Sequence, residues 1–385
     1  MLDDLQLLNE VYMKFFKILI PIFILVLIAI IFIFSSGEPK VLKVGLITDL
    51  SGKNSGLGVS ARSGLTLAID EINRDGGINN HTIELLIKDH QGSIDLCYSG
   101  TRELVSQGVN VIISPILSGM ASTVIKGVGS SNVLIIGPTV SSDDLTGIDD
   151  NFLRVATPSS VQGVKIAEIS IKRGDRDVVL ILDSRNSAYT SGVAEGYIKR
   201  IKNTDVNISK VFEFSNSDEI DGIVDSLLDI EPGAIFLVAD GIDSAKVVQY
   251  YAKEKPLPHL YGGSWVKASG VHEYGGSRVE GMIIADAMVN PKPQEREVQF
   301  NKKYFDKFGT ESNTVAIYFY ESMYIYKDGG TLSKSFDGNL VKDSILKIEN
   351  FNGILEPFSI DKYGDGVRSI LLYIIKDNKY DFYNE

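Results

Sequence analysis

The sequence predicts an α/β protein with two doubly wound, Rossmann-like parallel-sheet lobes joined by a three-crossover hinge and preceded by one N-terminal membrane helix. Three observations predict it. Short β-rich runs alternate with stretches of helical periodicity, a pattern that implies parallel strands with helices on both faces. The alternation occurs twice, with five strands before the segment "TPSSVQG" and five after it. An uncharged apolar run stands apart at the N-terminus.

That run, "ILIPIFILVLIAIIFIF" from Ile18 to Phe34, approaches the roughly 20 residues needed to span a bilayer. Lys14 and Lys17 precede it and no basic residue follows until Lys40, so the positive-inside bias puts everything downstream outside the cytoplasm. The run is longer than a cleaved signal core and leaves through "FSSGEPK", which has no A-x-A-like exit. A retained anchor is expected, with secretion as the alternative if the segment is cleaved. Met13 opens "MKFFKILIPIFILV", which reads as a signal peptide by itself and is an alternative start.

From Val41 onward, strands are expected in "VLKVGLITD", "TIELLIKD", "NVIISPI", "NVLIIGPTV" and "NFLRVAT", then in "DVVLILD", "SKVFEFS", "GAIFLVAD", "HLYGGSW" and "VEGMIIADAM". Ala61, Leu65, Ala68, Ile69 and Ile72 recur at helical spacing, and Gly76 and Gly77 supply a stop. Comparable helices fit residues 95–107, 118–130, 161–172, 191–202 and 244–253. After "NPKP", helices are expected at 295–308, 312–327 and 339–350, and the last stretch reads as a β-hairpin turned at Tyr363 to Gly366.

The turn "SGKNSGLGVSA" carries Gly56, Gly58 and Ala61 at the spacing of dinucleotide loops. A Walker loop ends in Gly-Lys-Ser/Thr, whereas Lys53 opens this one and precedes Asn54. The acid at the end of the next strand, Asp89, comes too late for a ribose contact, so no nucleotide cofactor is expected. The glycines instead let the chain enter its helix at the wall of a cleft.

Open parallel sheets bind ligands at the carboxyl ends of their strands, and two facing lobes make a cleft there. In the first lobe those ends carry Ser51, Ser55, Ser118 with Gly119, Thr139, Ser141 and Ser142; in the second, Asp183, Tyr189, Asp240, Ser264 and Trp265. Hydroxyls at helix N-termini hold a small carboxylate without a positive charge. The same hydroxyls are also ordinary N-caps.

Other classes are excluded. Without its first forty residues the chain has 35 basic side chains against 46 acidic, a balance of −11 that argues against nucleic acid as a partner. The single cysteine, Cys97, forms no internal disulfide and stands too far downstream to carry a lipid anchor. His81, His90, His259 and His272 lack metal-ligand spacing and read as surface residues, and no G-x-S-x-G elbow is present.

The stretch "VGLITDLSGKNSGLGVSARSGLTLAIDEINRDGGINNHTIELLIKDHQGS", with "FNGILEPFSIDKYGDG" near the end, resembles the leucine/isoleucine/valine-binding family of type I periplasmic binding proteins. The resemblance covers Val41 to Tyr383 and implies a non-catalytic substrate-binding subunit of an ABC importer, partnered by permease subunits and closing on a small amino acid or related carboxylate. The alternative is a membrane-anchored sensory ectodomain that binds an amino acid or amide. It also implies that Ser118, Thr139 and Ser141 hold the ligand carboxylate and that Tyr189 reaches it from the second lobe. The family's ammonium-pairing acid falls at "GGSWVKA", where Ser264 and Trp265 stand, so either Asp240 supplies the charge from the neighbouring strand end or the ligand lacks an amine. The lobes expected are 41–157 with 291–328 and 158–290 with 329–385, behind a tip and anchor at 1–40. Hinge crossings are expected near Thr157 to Ser160, Met288 to Pro291 and Lys327 to Gly330.

Overall fold

A computed structural model describes residues 40–287 and 294–383, together with 12–13, 15–17 and 19–26. The expected anchor falls largely outside these residues. Residues 19–26 are helical with exposed apolar side chains, and among the described residues no helix is long and apolar enough to cross a membrane.

The first sheet contains β1 (Lys40–Thr48), β2 (His81–Asp89), β3 (Val111–Ile113), β4 (Leu134–Gly137) and β5 (Phe152–Arg154). All pair in parallel, in the order β2-β1-β3-β4-β5, with Val44 opposite Val111 and Ile112 opposite Ile135. Helices α1 (Ser55–Arg74), α2 (Ile94–Ser106) and α3 (Ala121–Val128) make the crossovers. Cover on both faces lets β3 and β4 read as unbroken apolar runs, buried throughout.

The chain then enters α4 (Ser160–Arg173) and the second sheet: β6 (Asp177–Asp183), β7 (Asn207–Phe214), β8 (Ala234–Val238), β9 (His259–Gly262) and β10 (Ile283–Ala287). Its helices are α5 (Ser187–Ile201), α6 (Ile220–Ile230), α7 (Gly241–Glu254), α8 (Ser264–Ala268) and α9 (Val271–Gly275). Helix α6 escaped the sequence reading, although Ile220, Ile223, Val224 and Leu227 form a buried stripe at helical spacing.

Helices α10 (Glu295–Phe308), α11 (Thr314–Ser333) and α12 (Gly338–Ile345) follow. Strands β11 (Phe351–Asn352), β12 (Pro357–Ile360) and β13 (Gly366–Val367) make a small antiparallel sheet, and β14 (Ile370–Lys376) and β15 (Lys379–Phe382) return to the second lobe. Its full order is β15-β14-β10-β9-β8-β6-β7, with β14 antiparallel to β10. The single terminal hairpin expected is therefore two: one turned at Tyr363 to Gly366, the other at Asp377 and Asn378, both in the left-handed region.

Lys327 to Gly330 lies inside α11, and at the β13–β14 join the Thr157 hydroxyl donates to the Arg368 carbonyl at 3.1 Å and accepts from its amide at 2.8 Å. Helix α12, expected in the second lobe, packs on α11 and β4, and Gly338 lies so close that a Cβ would sit 2.6 Å from the Asn132 carbonyl. The Met288 to Pro291 crossing lies outside the described residues. His90 is buried rather than on the surface.

Candidate ligand chamber between the lobes

The turn after β1 is held by side chains of the protein. Its amides are taken by carboxylates of the protein itself: Gly52 and Asn54 donate to Asp49 at 2.6 and 3.0 Å, and Leu50 donates to Asp89 at 2.9 Å. Gly58 is needed for packing, because a Cβ there would meet the Asp49 carbonyl at 1.7 Å, and Gly56 faces open space. Between them, Leu57 is the turn residue that reaches the chamber.

Close helix pairs bring the walls together. A Cβ on Gly64 would lie 2.0 Å from the Ala316 carbonyl, so α1 and α11 touch, and Leu57 faces the same space as Val315 and Tyr318. In the second lobe, Gly163 of α4 and Gly196 of α5 do the same, with Cβ positions 1.9 Å from the Val193 carbonyl and 2.1 Å from the Ser160 carbonyl. That contact sets the Tyr189 hydroxyl 2.8 Å from Gln162 Oε1, which also accepts the Ser264 amide at 2.8 Å. Gly263 belongs to the same device, since a Cβ there would collide with the Tyr189 hydroxyl at 2.4 Å.

The result is a chamber of about 90 Å³ between the lobes. Ser118, Thr139, Ser141, Tyr189, Ser264 and Trp265 all line it. Ser118 Oγ accepts the Ser141 amide at 3.0 Å and Thr139 donates to the Ile116 carbonyl at 2.6 Å, which fixes both hydroxyls at the strand ends. Gly119 is not a lining residue; its amide crosses the cleft to Asn186 Oδ1 at 2.9 Å. Burial raises the phenols of Tyr189 and Tyr318, which stay neutral donors.

Asp240 is not in the chamber. It N-caps α7, accepting the Ile242 and Asp243 amides at 2.9 Å each, and with Asp183 and Asp243 forms a buried carboxylate cluster. Arg185 binds all three acids, and Lys53 reaches across from the first lobe to Asp243 at 2.8 Å and Asp240 at 3.1 Å. Those carboxylates have the spacing for a metal ion, but the two cations already stand among them. Burial pushes Asp183 up to about 7, with the charges of Asp240 and Asp243 adding to the rise and the Arg185 amide opposing it. Lys53 and Asp240 line a wider groove at the cleft mouth that shares Leu57 and Thr314 with the chamber.

The charged residues lining the chamber are ones the sequence reading missed. Asp286, on β10, pairs with Lys267 at 2.8 Å. Arg368 is buried, paired with Glu321, and stacked 3.6 Å from the Phe358 ring centroid and 4.5 Å from that of Tyr318. Asp286 had a sequence signal in the strand-end run "IIADA"; Arg368 lies in the terminal stretch read as a plain hairpin.

Paired α/β lobes around such a chamber are also what comparison with known proteins returns: the family model described as periplasmic binding protein matches residues 41–379. The chain belongs to that family. Among curated relatives, the periplasmic binding protein is 30% identical to the Leu/Ile/Val-binding protein BraC3 of Rhizobium johnstonii over 40% of this chain and 42% of that one. It is 20% identical to Leu/Ile/Val-binding protein homolog 2 of Brucella abortus over 89% and 93%. The chain spans under half the length of the first curated relatives it matches. In structure it is similar to a leucine-binding protein of Thermotoga maritima, with a TM-score of 0.80 at 21% identity over 89% of this chain and 98% of that one. A solute-binding protein from R. palustris in complex with benzoate gives 0.80 at 18% identity over 89% and 95%. These relatives are named as binding proteins, not enzymes, and membership in the periplasmic binding family implies an extracytoplasmic location.

Proposed function

We propose that this chain is the solute-binding subunit of an ABC importer and closes its lobes on a small amino acid of branched-chain type or a related carboxylate. The observation that carries this reading is the chamber itself, where hydroxyls from two neighbouring strand ends of the first lobe meet aromatic side chains of the second. Ser118 and Ser141 would take the carboxylate at the N-terminal ends of the following turns, while the Thr139 hydroxyl, its proton held by the Ile116 carbonyl, would stand beside them as an acceptor. Asp286, rather than Asp240, would receive an α-ammonium group, because it is the carboxylate that lines the chamber. Leu57, Ile116 and Val315 supply the apolar remainder.

Two lobes hinged at Thr157 to Ser160 and at the β13–β14 join, held to the membrane by the N-terminal apolar run and docking on permease subunits, complete the proposal. The chain's one tryptophan, Trp265, lines the chamber and reports occupancy directly. Titration of amino acids and small carboxylates, followed by Trp265 fluorescence and calorimetry, is expected to show saturable binding; absence of both signals across the panel refutes the reading.

A further inference from the structure

We infer that the ligand carries, besides its carboxylate, a second and uncharged oxygen acceptor received by Arg368 and Trp265. The inference rests on the chamber being the ligand site and goes beyond it by naming the chemistry of the ligand's other end. Both residues line the chamber, and both are more than nine-tenths buried. Arg368 Nε donates to the Val155 carbonyl at 3.0 Å and Nη2 to Glu321, while Nη1 is buried and hydrogen-bonds to nothing among the described residues. The guanidinium is clamped between the rings of Phe358 and Tyr318 and tied at two of its three nitrogens, so it has no freedom to turn Nη1 elsewhere. Trp265 Nε1 is in the same condition, with its ring set edge-on to Tyr189 at 6.1 Å.

Guanidinium and indole N–H groups donate and never accept. Buried donors are almost always paired, and these two belong to side chains that line one chamber, so an acceptor taken up there reaches them after a small side-chain shift. The charge balance says which kind. Glu321 already matches Arg368, and Lys267 matches Asp286, so these walls carry no net charge. A ligand carboxylate brings one negative charge, and a second in the same dry space costs far more than a neutral carbonyl, amide or hydroxyl oxygen. The side chain of an aliphatic amino acid such as leucine has no oxygen to offer these donors.

Near-isosteric ligand sets test this by calorimetry: leucine, asparagine and aspartate as one series, 4-methylpentanoate, succinamate and succinate as the other. The amide member of the series that binds is expected to be at least about tenfold tighter than the hydrocarbon member, as one charge-assisted hydrogen bond implies, and tighter than the member with a second carboxylate. Trp265→Phe keeps a ring and deletes the N–H; it is expected to weaken the amide member about five- to tenfold more than the hydrocarbon one. Arg368→Lys is expected to erase most of the remaining preference, and if that variant does not fold, Trp265→Phe carries the test alone. A hydrocarbon or dicarboxylate member that binds as well as the amide overturns the inference and leaves the binding function standing, as does an equal loss for both members in Trp265→Phe. Failure of both whole series to bind overturns the site reading itself.

Discussion

The two lobes share a winding but use their switch points in opposite ways. In the first sheet the order reverses between β1 and β3, and the crevice there opens on Leu57, Ile116 and Ser118, which line the chamber. In the second it reverses between β6 and β8, and the crevice is filled by Asp183, Asp240, Asp243 and Arg185. One switch point opens on the candidate chamber and the other receives the opposite lobe, through Lys53. Strand-end position therefore nominates a residue for the cleft, but the charge already present decides whether it faces solute or protein.

The comparison breaks most sharply at Asp286. If the best ligand is an α-amino acid, Asp286→Asn is expected to weaken it by about 2–5 kcal/mol, the range for removing one member of a buried charge pair, whereas Asp240→Asn should leave affinity within about threefold. Calorimetry on the two variants reads the contrast directly, and equal losses would return Asp240 to the ligand site.

Ser118→Ala comes next, at about 1.5–3 kcal/mol for a lost hydrogen bond to a carboxylate. Its Oγ also holds the Ser141 amide, so the same loss should appear for every carboxylate tested.

Lys53→Met sharpens the other side. Lys53 is 43% exposed, so its bridge to the second lobe is worth no more than about 1 kcal/mol of closure, and less in high salt. Affinity should fall by up to about fivefold in low salt and recover towards the parent value as salt rises; a loss unaffected by salt would place Lys53 at the ligand instead.

The smallest effect is on pH. Burial lifts Asp183 to about 7 from an ordinary 3.8, so between those values the folded protein holds a proton that the unfolded chain has released. That contribution to stability is full at the low end and is lost as pH rises to about 7. The Lys53→Met defect should be larger near pH 8 than near pH 5.5, because the lysine offsets a charge that protonation removes. Asp240→Asn, which keeps an N-cap and deletes one of three crowded negative charges, should melt no lower than the parent.

Most of the fold was legible because doubly wound sheets write themselves locally. Buried strands such as "AIFLV" are apolar throughout, and helices such as α1 carry their stripe and their glycine stop in one stretch of chain. The candidate site was legible where it followed chain order, at Ser118, Thr139, Ser141, Tyr189, Ser264 and Trp265, because strand ends are sequence-local features. The surroundings of Asp240 were not legible: its position at a strand end is local, whereas its pairing with Arg185 and Lys53 depends on residues 55 and more than 180 positions away.

By itself, the sequence determined the alternation of strands and helices, the two lobes, the acidic surface and the hydroxyls at the ends of β3 and β4, since each depends on neighbours in the chain. Only the tertiary structure decided what the cleft contains. Helices approach at Gly64, Gly163 and Gly196 to within a distance that admits no Cβ, and this sets which side chains meet. Glu321 and Lys267 neutralise Arg368 and Asp286 from α11 and α8, elements distant from them in the chain or separated by a turn, so the chamber's charge is a property of packing rather than of any motif. Hydrogen-bond and Coulomb energies depend on separation in space, and in this fold the decisive separations are those between residues the chain keeps far apart.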